Sequence, residues 1–121
     1  MIDHVSLNVS DYDRSRRFYE HALEPLGFGL QMEFGRACAF GLEGKPFFWI
    51  REAEPAGNVH VAFHCEAREP VDAFHAAALT AGGTDNGPPG LRPHYHPNYY
   101  AAFVHDPDSN NVEAVCHTAA Q

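Results

Sequence analysis

The sequence lacks the features that mark several large classes of protein. Positive charge is scarce: 8 Lys and Arg residues stand against 16 Asp and Glu residues, and the formal net charge is −8. Proteins that bind DNA or RNA depend on Lys and Arg to neutralise phosphates, so nucleic-acid binding is not expected. No apolar run approaches the roughly 20 residues of a membrane span. The first residues also lack the charged and then apolar order of a signal peptide, so no membrane partner is expected.

Cysteine is scarce as well. The three thiols, Cys38, Cys65 and Cys116, are odd in number and far apart, and they form no Cys-x-x-Cys motif. This pattern argues against a disulfide scaffold and for a reducing compartment, so a cytoplasmic location is expected. The 121 residues, of which 45% are hydrophobic, are enough for one core. We therefore expect a single domain over residues 1–121.

Histidine is abundant by contrast, with 9 residues, and one histidine recurs in an internal repeat. A shift of 56 positions places His4 on His60 and Val5 on Val61. The same shift aligns Phe18, Ala22, Leu23 and Gly27 with Phe74, Ala78, Leu79 and Gly83. Chance similarity of short apolar patterns is the alternative, but the common order favours duplication. Module one then covers about residues 1–56 and module two about residues 57–118.

Each module is predicted to begin with a strand followed by a helix, because apolar residues first alternate and then recur at helical spacing. Ser10 is the expected N-cap of the first helix, with Asp13 as a weaker capping-box partner. The other expected strands span residues 28–33, 36–42, 46–51, 99–105 and 111–116, and a Gly- and Pro-rich stretch spans 83–97. The predicted fold class is α+β: two βαβββ modules that form an incomplete barrel-like sheet with the helices outside.

Strand alternation predicts which side chains face away from the helices. The expected buried residues of the two opening strands are Val5, Leu7, Val9, Val59, Val61 and Phe63. His4 and His60 then lie on the opposite, concave face, and Glu113 of the last strand can join them. Two neutral histidines and one carboxylate form a set that holds Fe(II) or catalytic zinc. The simpler alternative is two ordinary half-buried histidines and a solvated carboxylate.

The segments that carry these residues resemble the vicinal oxygen chelate superfamily. They are Asp3-His4-Val5, Val59-His60-Val61 and Asp106-Pro107-Asp108-Ser109-Asn110-Asn111-Val112-Glu113. The group includes glyoxalase I, extradiol dioxygenases, methylmalonyl-CoA epimerase, and the fosfomycin- and bleomycin-resistance proteins, and the resemblance extends from Ile2 to Cys116. It implies paired modules, commonly in a homodimer. It also implies a divalent metal ion (Fe, Zn, Mn or Ni), held by His4, His60 and Glu113, that chelates two adjacent oxygens of a small-molecule substrate.

The sequence departs from the superfamily pattern at several positions. Glyoxalase I and its relatives usually add a glutamate ligand where this chain has Trp49, so a three-ligand site is more similar to the extradiol dioxygenases. The dioxygenase pattern has a tyrosine where Phe103 lies here and a histidine that His94 matches. Ser109 replaces the usual glycine of the last turn. Lyase, isomerase and dioxygenase chemistry therefore all stay open.

Further candidates lie near the predicted ligands. His64 follows His60 on the same strand face, about 7 Å along the strand, and is a candidate general base; the alternative is a histidine with no role. Asn8 has the equivalent place in module one and can bind a substrate oxygen. Residues 92–100 are expected to form a lid or wall of the pocket, or alternatively a dimer contact. The substrate-binding candidates in the second half of the chain are Arg92, His94, His96, Tyr99, Tyr100 and Phe103, and Trp49 belongs to the same predicted set.

Two functions follow as hypotheses. The leading one is a cytoplasmic metal-dependent enzyme in which the metal stabilises negative charge on the substrate and a base such as His64 moves a proton. The alternative is a metal-free protein of the bleomycin-resistance type that sequesters a small molecule on an aromatic concave surface. The sequence leaves open whether the site forms within one chain or between two. It assigns no role to His21, His75, His105 and His117.

Overall fold

The computed structural model describes residues 1–120, so Gln121, the last residue of the expected domain, lies outside the described chain. The first module consists of β1 (Val5–Val9), α1 (Tyr12–Leu23), a 3-10 turn (Glu24–Leu26), β2 (Gly29–Phe34), β3 (Ala37–Leu42) and β4 (Lys45–Glu52). The second consists of β5 (His60–Cys65), α2 (Arg68–Thr80), β6 (Thr84–Leu91), β7 (Tyr100–His105) and β8 (Asn111–Cys116). The predicted pair of βαβββ modules is confirmed.

The two modules also share their sheet topology. The strand order is β1-β4-β3-β2 in the first sheet and β5-β8-β7-β6 in the second. In each sheet the opening strand pairs in parallel with the closing strand, and the remaining pairs are antiparallel. Within residues 1–120 the sheets do not close into a barrel. Neither helix of this part of the chain has the length and apolar character needed to cross a bilayer.

The core lies between the helices and the inner faces of both sheets. Phe18 of α1 and Phe74 of α2 are fully buried, and Leu7 of β1 and Phe63 of β5 pack in the same cluster. The opposite faces of the sheets carry the polar side chains, as the alternation predicts. The prediction is wrong for Val5 and Val59, which are 37% and 43% exposed, because both lie at strand entrances beyond the cover of the helices.

Aromatic packing joins the two modules. The Phe48 and Phe63 rings meet edge to face with centroids 5.2 Å apart, and Phe28 lies 5.9 Å from Phe63. Edge-to-face pairs stabilise by about 0.5–1.5 kcal/mol beyond the burial of their apolar area. Because Phe48 belongs to β4 and Phe63 to β5, this contact sets the spacing between the two sheets.

A buried polar network makes a second connection, at the turn between β7 and β8. The Asp106 carboxylate accepts hydrogen bonds from the backbone N–H groups of Asp108 and Asn110, at 2.8 and 2.9 Å. It also accepts one from the Asn110 side chain at 2.9 Å and one from the Tyr19 hydroxyl of α1 at 2.5 Å. Asn110 Oδ1 in turn accepts from the backbone N–H of Val59, at the entrance of β5. The turn therefore ties α1, β5 and β8 together.

Ser109 in this turn has a left-handed backbone conformation, with φ of 66°. A residue with a Cβ pays about 1 kcal/mol or more in this region, whereas glycine does not. We therefore expect Ser109→Gly to stabilise the protein by up to about 1 kcal/mol, after the greater entropy of glycine in the unfolded chain is allowed for. Urea unfolding monitored by circular dichroism measures the change. Destabilisation would show that the serine hydroxyl has a stabilising role that the backbone conformation does not suggest.

The structure corrects the predicted start of the first helix. Its N-cap is Asp11, not Ser10, and the Asp11 carboxylate accepts from the backbone N–H of Arg14 at 3.2 Å. The predicted partnership of Ser10 with Asp13 is therefore wrong. Both Ser10 and Asp11 are good caps, and Ser10 is instead held by its backbone N–H, which donates to the Asp108 carboxylate at 3.1 Å.

The Gly- and Pro-rich stretch at 83–97 contains a strand that the residue pattern does not reveal. Strand β6 runs through Gly87, Pro88 and Pro89, and its pairing with β7 shifts register on both sides of Gly87. As an edge strand with bulges, β6 tolerates prolines that a central strand would not. Only the βαβββ repeat predicts a strand here.

All three cysteines are free thiols in the core. Cys38 lies on β3, whereas Cys65 and Cys116 are register partners on β5 and β8. Burial raises the pKa of the Cys65 thiol to about 11, and burial also raises the pKa of Cys38. These thiols are packing residues, in agreement with the absence of a cysteine motif.

Candidate functional site

The polar face of the second sheet brings two of the predicted ligands into contact. His60 Nε2 lies 2.9 Å from Glu113 Oε1. Glu113 is 1% exposed, whereas the His60 side chain is 54% exposed. Because a carboxylate accepts hydrogen bonds, His60 donates its Nε2 proton here. The pair therefore combines a carboxylate buried at the base of the site with an imidazole that reaches solvent.

Tyr99 supplies the second hydrogen bond to Glu113. Its hydroxyl donates to Glu113 Oε2, so each carboxylate oxygen has a partner. Burial, and next the hydrogen bond with Glu113, raise the pKa of Tyr99 above its ordinary value, so its hydroxyl keeps its proton. A buried carboxylate is costly without such donors. Tyr99 was expected among the substrate-binding residues, and its observed contact is with the predicted ligand Glu113.

Tyr100, the other tyrosine considered for the pocket, lies on the opposite side of the sheet. Its hydroxyl donates to Asp72 of α2 at 2.6 Å, and the Arg68 guanidinium lies 4.9 Å from its ring. Neighbouring residues of a strand point to opposite faces of the sheet, and the side chain of Tyr99 points to the face that carries Glu113. Tyr100 is not brought to the site.

His4 lies in the same cleft as His60 but has a different partner. Both histidines line a cleft of about 470 Å³ between β1 and β5, together with Phe47 and Ala62. His4 Nδ1 lies 2.7 Å from the Asp3 carboxylate, so Nδ1 carries the proton and Nε2 is the free ring nitrogen. Among residues 1–120, no three His, Cys, Asp or Glu side chains are already arranged around a common ion position.

The wall contributed by module one is aromatic where the superfamily pattern places a glutamate. Trp49 stacks on Phe34 with ring centroids 6.2 Å apart and planes 7° apart. Beside it, Asn8 accepts from Arg51 Nε at 3.2 Å and donates to the Pro55 carbonyl at 3.1 Å. Asn8 therefore has partners on both ends of its amide, and Trp49 offers a flat apolar surface.

The wall contributed by module two is formed by β6, β7 and the loop between them. Phe103 is the register partner of Glu113 on the neighbouring strand, and its ring lies 6.4 Å from His60. The Arg92 guanidinium lies 5.4 Å from the Phe103 ring and donates to the carbonyls of Pro88 and Gly90. The structure therefore brings Arg92 and Phe103 to the His60 side of the site.

The remaining predicted residues lie on β5 or in the loop between β6 and β7. His94 contacts the Tyr95 ring, at 4.2 Å between centroids, and not the ligand candidates. His64 Nε2 lies 3.3 Å from Glu66, and its ring stacks on His117 at 6.0 Å. His96 also contacts His117. Sequence reasoning missed His117, although alternation along β8 places it on the same face as Glu113 and would have revealed it.

Comparisons with known proteins identify relatives of the chain. Residues 1–114 match the family model described as the Glyoxalase/Bleomycin resistance protein/Dioxygenase superfamily. An uncharacterized protein, YqjT of Bacillus subtilis (strain 168), is 29% identical over an alignment that covers 93% of this chain and 95% of that protein. A crystal structure of a glyoxalase/bleomycin resistance protein from Albidiferax ferrireducens T118 has 31% identity and a TM-score of 0.83, and the match covers 96% of this chain and 98% of that one.

A more distant neighbour shares the fold. The lactoylglutathione lyase of Agrobacterium tumefaciens has 16% identity and a TM-score of 0.69, with 96% of this chain and 92% of that chain covered. At this identity the likeness concerns architecture alone. The family-model match extends over nearly the whole chain and includes His4, His60 and Glu113. The chain therefore belongs to the Glyoxalase/Bleomycin resistance protein/Dioxygenase superfamily.

Proposed function

We propose that the protein is a metal-dependent enzyme that acts on a small substrate with two adjacent oxygens. In this proposal His4, His60 and Glu113 hold a divalent cation (Fe, Zn, Mn or Ni). The observation that carries the proposal is the contact between His60 and the buried Glu113, at 2.9 Å, next to a cleft that also contains His4.

The residues fit such an ion by their chemistry and their place. Two ligand atoms on one ion, each about 2.0–2.2 Å from it, lie roughly 3.0–3.5 Å apart, so the 2.9 Å between His60 Nε2 and Glu113 Oε1 needs to widen only slightly. The cation would take the place of the proton on His60 Nε2, and that proton would move to Nδ1 of the same ring. His4 keeps its Nε2 free, and Asp3 behind its Nδ1 is the kind of carboxylate that orients a metal-binding imidazole. His4 lines the same cleft and would be the third ligand.

The neighbouring side chains define what the site does with a substrate. When bound, the metal ion supplies Lewis-acid stabilisation of negative charge on the substrate oxygens. Tyr99 holds Glu113 in place by donating to Oε2. Phe103 on one side and Trp49 with Phe34 on the other provide apolar surfaces that would exclude water and favour a flat substrate. Lyase, isomerase and dioxygenase reactions are all compatible with this arrangement.

Metal analysis tests the proposal. We expect Glu113→Gln to remove one bound ion per chain and to lower the metal affinity at least about 100-fold. Loss of a residue that only orients a metal ligand already lowers metal affinity about 10- to 100-fold. The measurement is elemental analysis of protein purified without chelator and then dialysed against Fe(II), Zn²⁺, Mn²⁺ or Ni²⁺. Glu69→Gln, an exposed glutamate of α2, is the matched control. Equal metal content in wild type and Glu113→Gln would remove Glu113 from the ligand set.

A metal-free binding protein is the second candidate, and the stacked Trp49 and Phe34 favour it. They form an aromatic surface where related enzymes have a metal ligand. If that function holds, the protein retains no ion in this site and binds planar aromatic compounds tightly. Trp49 is the single tryptophan, so quenching of its fluorescence reports such binding directly. Chelator-treated protein should then bind as tightly as untreated protein.

A further inference from the structure

A second group of imidazoles lies on the same sheet face, apart from the predicted ligands. It contains His64 of β5, His96 of the loop before β7, and His117 just after β8; we call it the outer histidine cluster. His96 Nε2 lies 2.8 Å from His117 Nδ1, and the two ring centroids are 5.0 Å apart. The His64 ring lies over the His117 ring, at 6.0 Å with planes 22° apart. Three separate segments of the chain thus each contribute one imidazole to the cluster.

The contact between His96 and His117 shows their protonation. A hydrogen bond between two imidazole nitrogens needs one N–H and one lone pair, so a single proton lies between the two rings. Each ring therefore directs a nitrogen to the same small volume. His96 Nδ1 accepts a hydrogen bond from the backbone N–H of Asn98, so the shared proton lies on His96 Nε2. A cation with a preference for nitrogen could take its place when that proton moves to His96 Nδ1 and the contact with Asn98 opens.

The surroundings of the outer histidine cluster favour a cation. Glu66 Oε1 lies 3.3 Å from His64 Nε2, and this places a carboxylate behind one imidazole. The net charge of the chain is −8. The Tyr99 ring lies 5.2–5.3 Å from His96 and His117 and forms the floor of the cluster. Since the Tyr99 hydroxyl bonds Glu113, its side chain separates this cluster from the proposed substrate site.

We propose that the outer histidine cluster is a second transition-metal site, which takes Zn²⁺, Ni²⁺ or Cu²⁺ through His64, His96 and His117. Imidazole ligands select these ions over Mg²⁺ and Ca²⁺, which prefer oxygen. Nitrogens bound to one tetrahedral ion at about 2.0–2.1 Å lie roughly 3.3 Å apart, so His96 and His117 need to separate by only about 0.5 Å. The side chain of His64 is 58% exposed and has room to rotate toward them.

Metal binding requires a rearrangement of the outer histidine cluster. No three candidate ligands within the described chain surround a common point, so His64 has to rotate and His96 and His117 have to separate. Binding therefore moves that proton to the other nitrogen of its ring and links the loop before β7 to the end of β8. The site does not include His4, His60 or Glu113, so it is independent of the proposed enzymatic function.

Titration of metal-free protein with Ni²⁺ or Zn²⁺ tests this proposal. We expect His117→Ala and His96→Ala each to lower the affinity of one site at least about 100-fold, whereas Glu113→Gln leaves that site intact. Isothermal titration calorimetry gives the stoichiometry and the affinity of the site. His21→Ala is the matched control, since His21 is an exposed imidazole of α1 bound to the Arg17 carbonyl.

Cu²⁺ electron paramagnetic resonance on the Glu113→Gln protein gives an independent measure. Hyperfine coupling to three nitrogens is expected, and to two in His64→Ala. If wild-type protein binds no ion that His96→Ala or His117→Ala releases, the proposal fails, whatever happens at Glu113. It also fails if His21→Ala weakens binding as much as His117→Ala does. Circular dichroism of each variant checks that the fold is retained, which is expected for His21, His64 and His117 because their side chains are exposed.

Discussion

Replacing Asp106 with alanine is expected to destabilise the protein by about 3–5 kcal/mol, because four hydrogen-bond donors lose their acceptor. Each buried donor without a partner costs about 1–3 kcal/mol, and relaxation of the surrounding structure recovers part of the total cost. Asp106 is 4% exposed, and its donors are the Tyr19 hydroxyl, the Asn110 side chain and the N–H groups of Asp108 and Asn110. Domains of this size have total stabilities of about 5–15 kcal/mol, so the loss is large.

Urea unfolding with circular dichroism measures the effect of Asp106→Ala. Asp108→Ala is the control, since Asp108 lies in the same turn and its carboxylate accepts from the backbone N–H of Ser10 alone among residues 1–120. We expect the control to change stability by less than about 1 kcal/mol. A similar result for both variants would show that the four hydrogen bonds of Asp106 do not hold the turn. Because the turn reaches Val59 through Asn110, Asp106→Ala should also loosen the start of β5, where His60 lies.

The second large effect is expected at the junction of the modules. Phe48→Ala should cost about 3–5 kcal/mol, because Phe48 is 1% exposed and the cavity left behind lies between two sheets that cannot easily collapse. Its ring contacts Phe63 at 5.2 Å and Tyr19 at 5.0 Å. Phe48 is also the register partner of Val5, next to His4. The variant is therefore expected to reduce metal content together with stability.

Phe34→Ala is the matched control for Phe48→Ala. Phe34 is 62% exposed and stacks on Trp49 at the surface of the first sheet. Its removal should cost less than about 1 kcal/mol, because little buried surface is lost. Equal unfolding midpoints for Phe48→Ala and wild type would contradict the view that the aromatic junction stabilises the paired modules.

The architecture could be predicted because the repeat and the strand alternation agree. The shift that places His4 on His60 identifies two equivalent modules, and the alternation along β8 assigns Val112 and Ala114 to the core and Glu113 to the other face. Burial of apolar surface enforces this pattern, since a strand moved by one residue would bury its polar side chains. The face of each candidate ligand follows from the same rule.

Other features depend on tertiary contacts that a linear pattern does not contain. Ser10 and Asp11 are equally good helix caps, and the choice of Asp11 follows from the Asp108 contact that holds Ser10. The bulged strand β6 is hidden by its glycines and prolines. In the site, alternation could not decide between Tyr99 and Tyr100 until the strand register was known.

The sequence also could not predict how the site residues pair. His4 turns to its neighbour Asp3, whereas His60 bonds Glu113 from a distant strand. His117 follows the last strand, and its role depends on where the loop carrying His96 folds back. Loop conformations are set by many weak contacts, and these contacts are not encoded in any single segment.

The three buried thiols can report on local unfolding of the two modules. A raised pKa keeps Cys38 and Cys65 as unreactive thiols, and Cys116, at 1% exposure, is shielded by the packed core. An alkylating reagent can therefore attack only when a sheet separates from its helix, so the rate of modification follows that fluctuation. Cys38 reports on the first sheet, and the other two report on the second. Mass spectrometry of partly alkylated protein thus shows whether the two modules unfold together or separately.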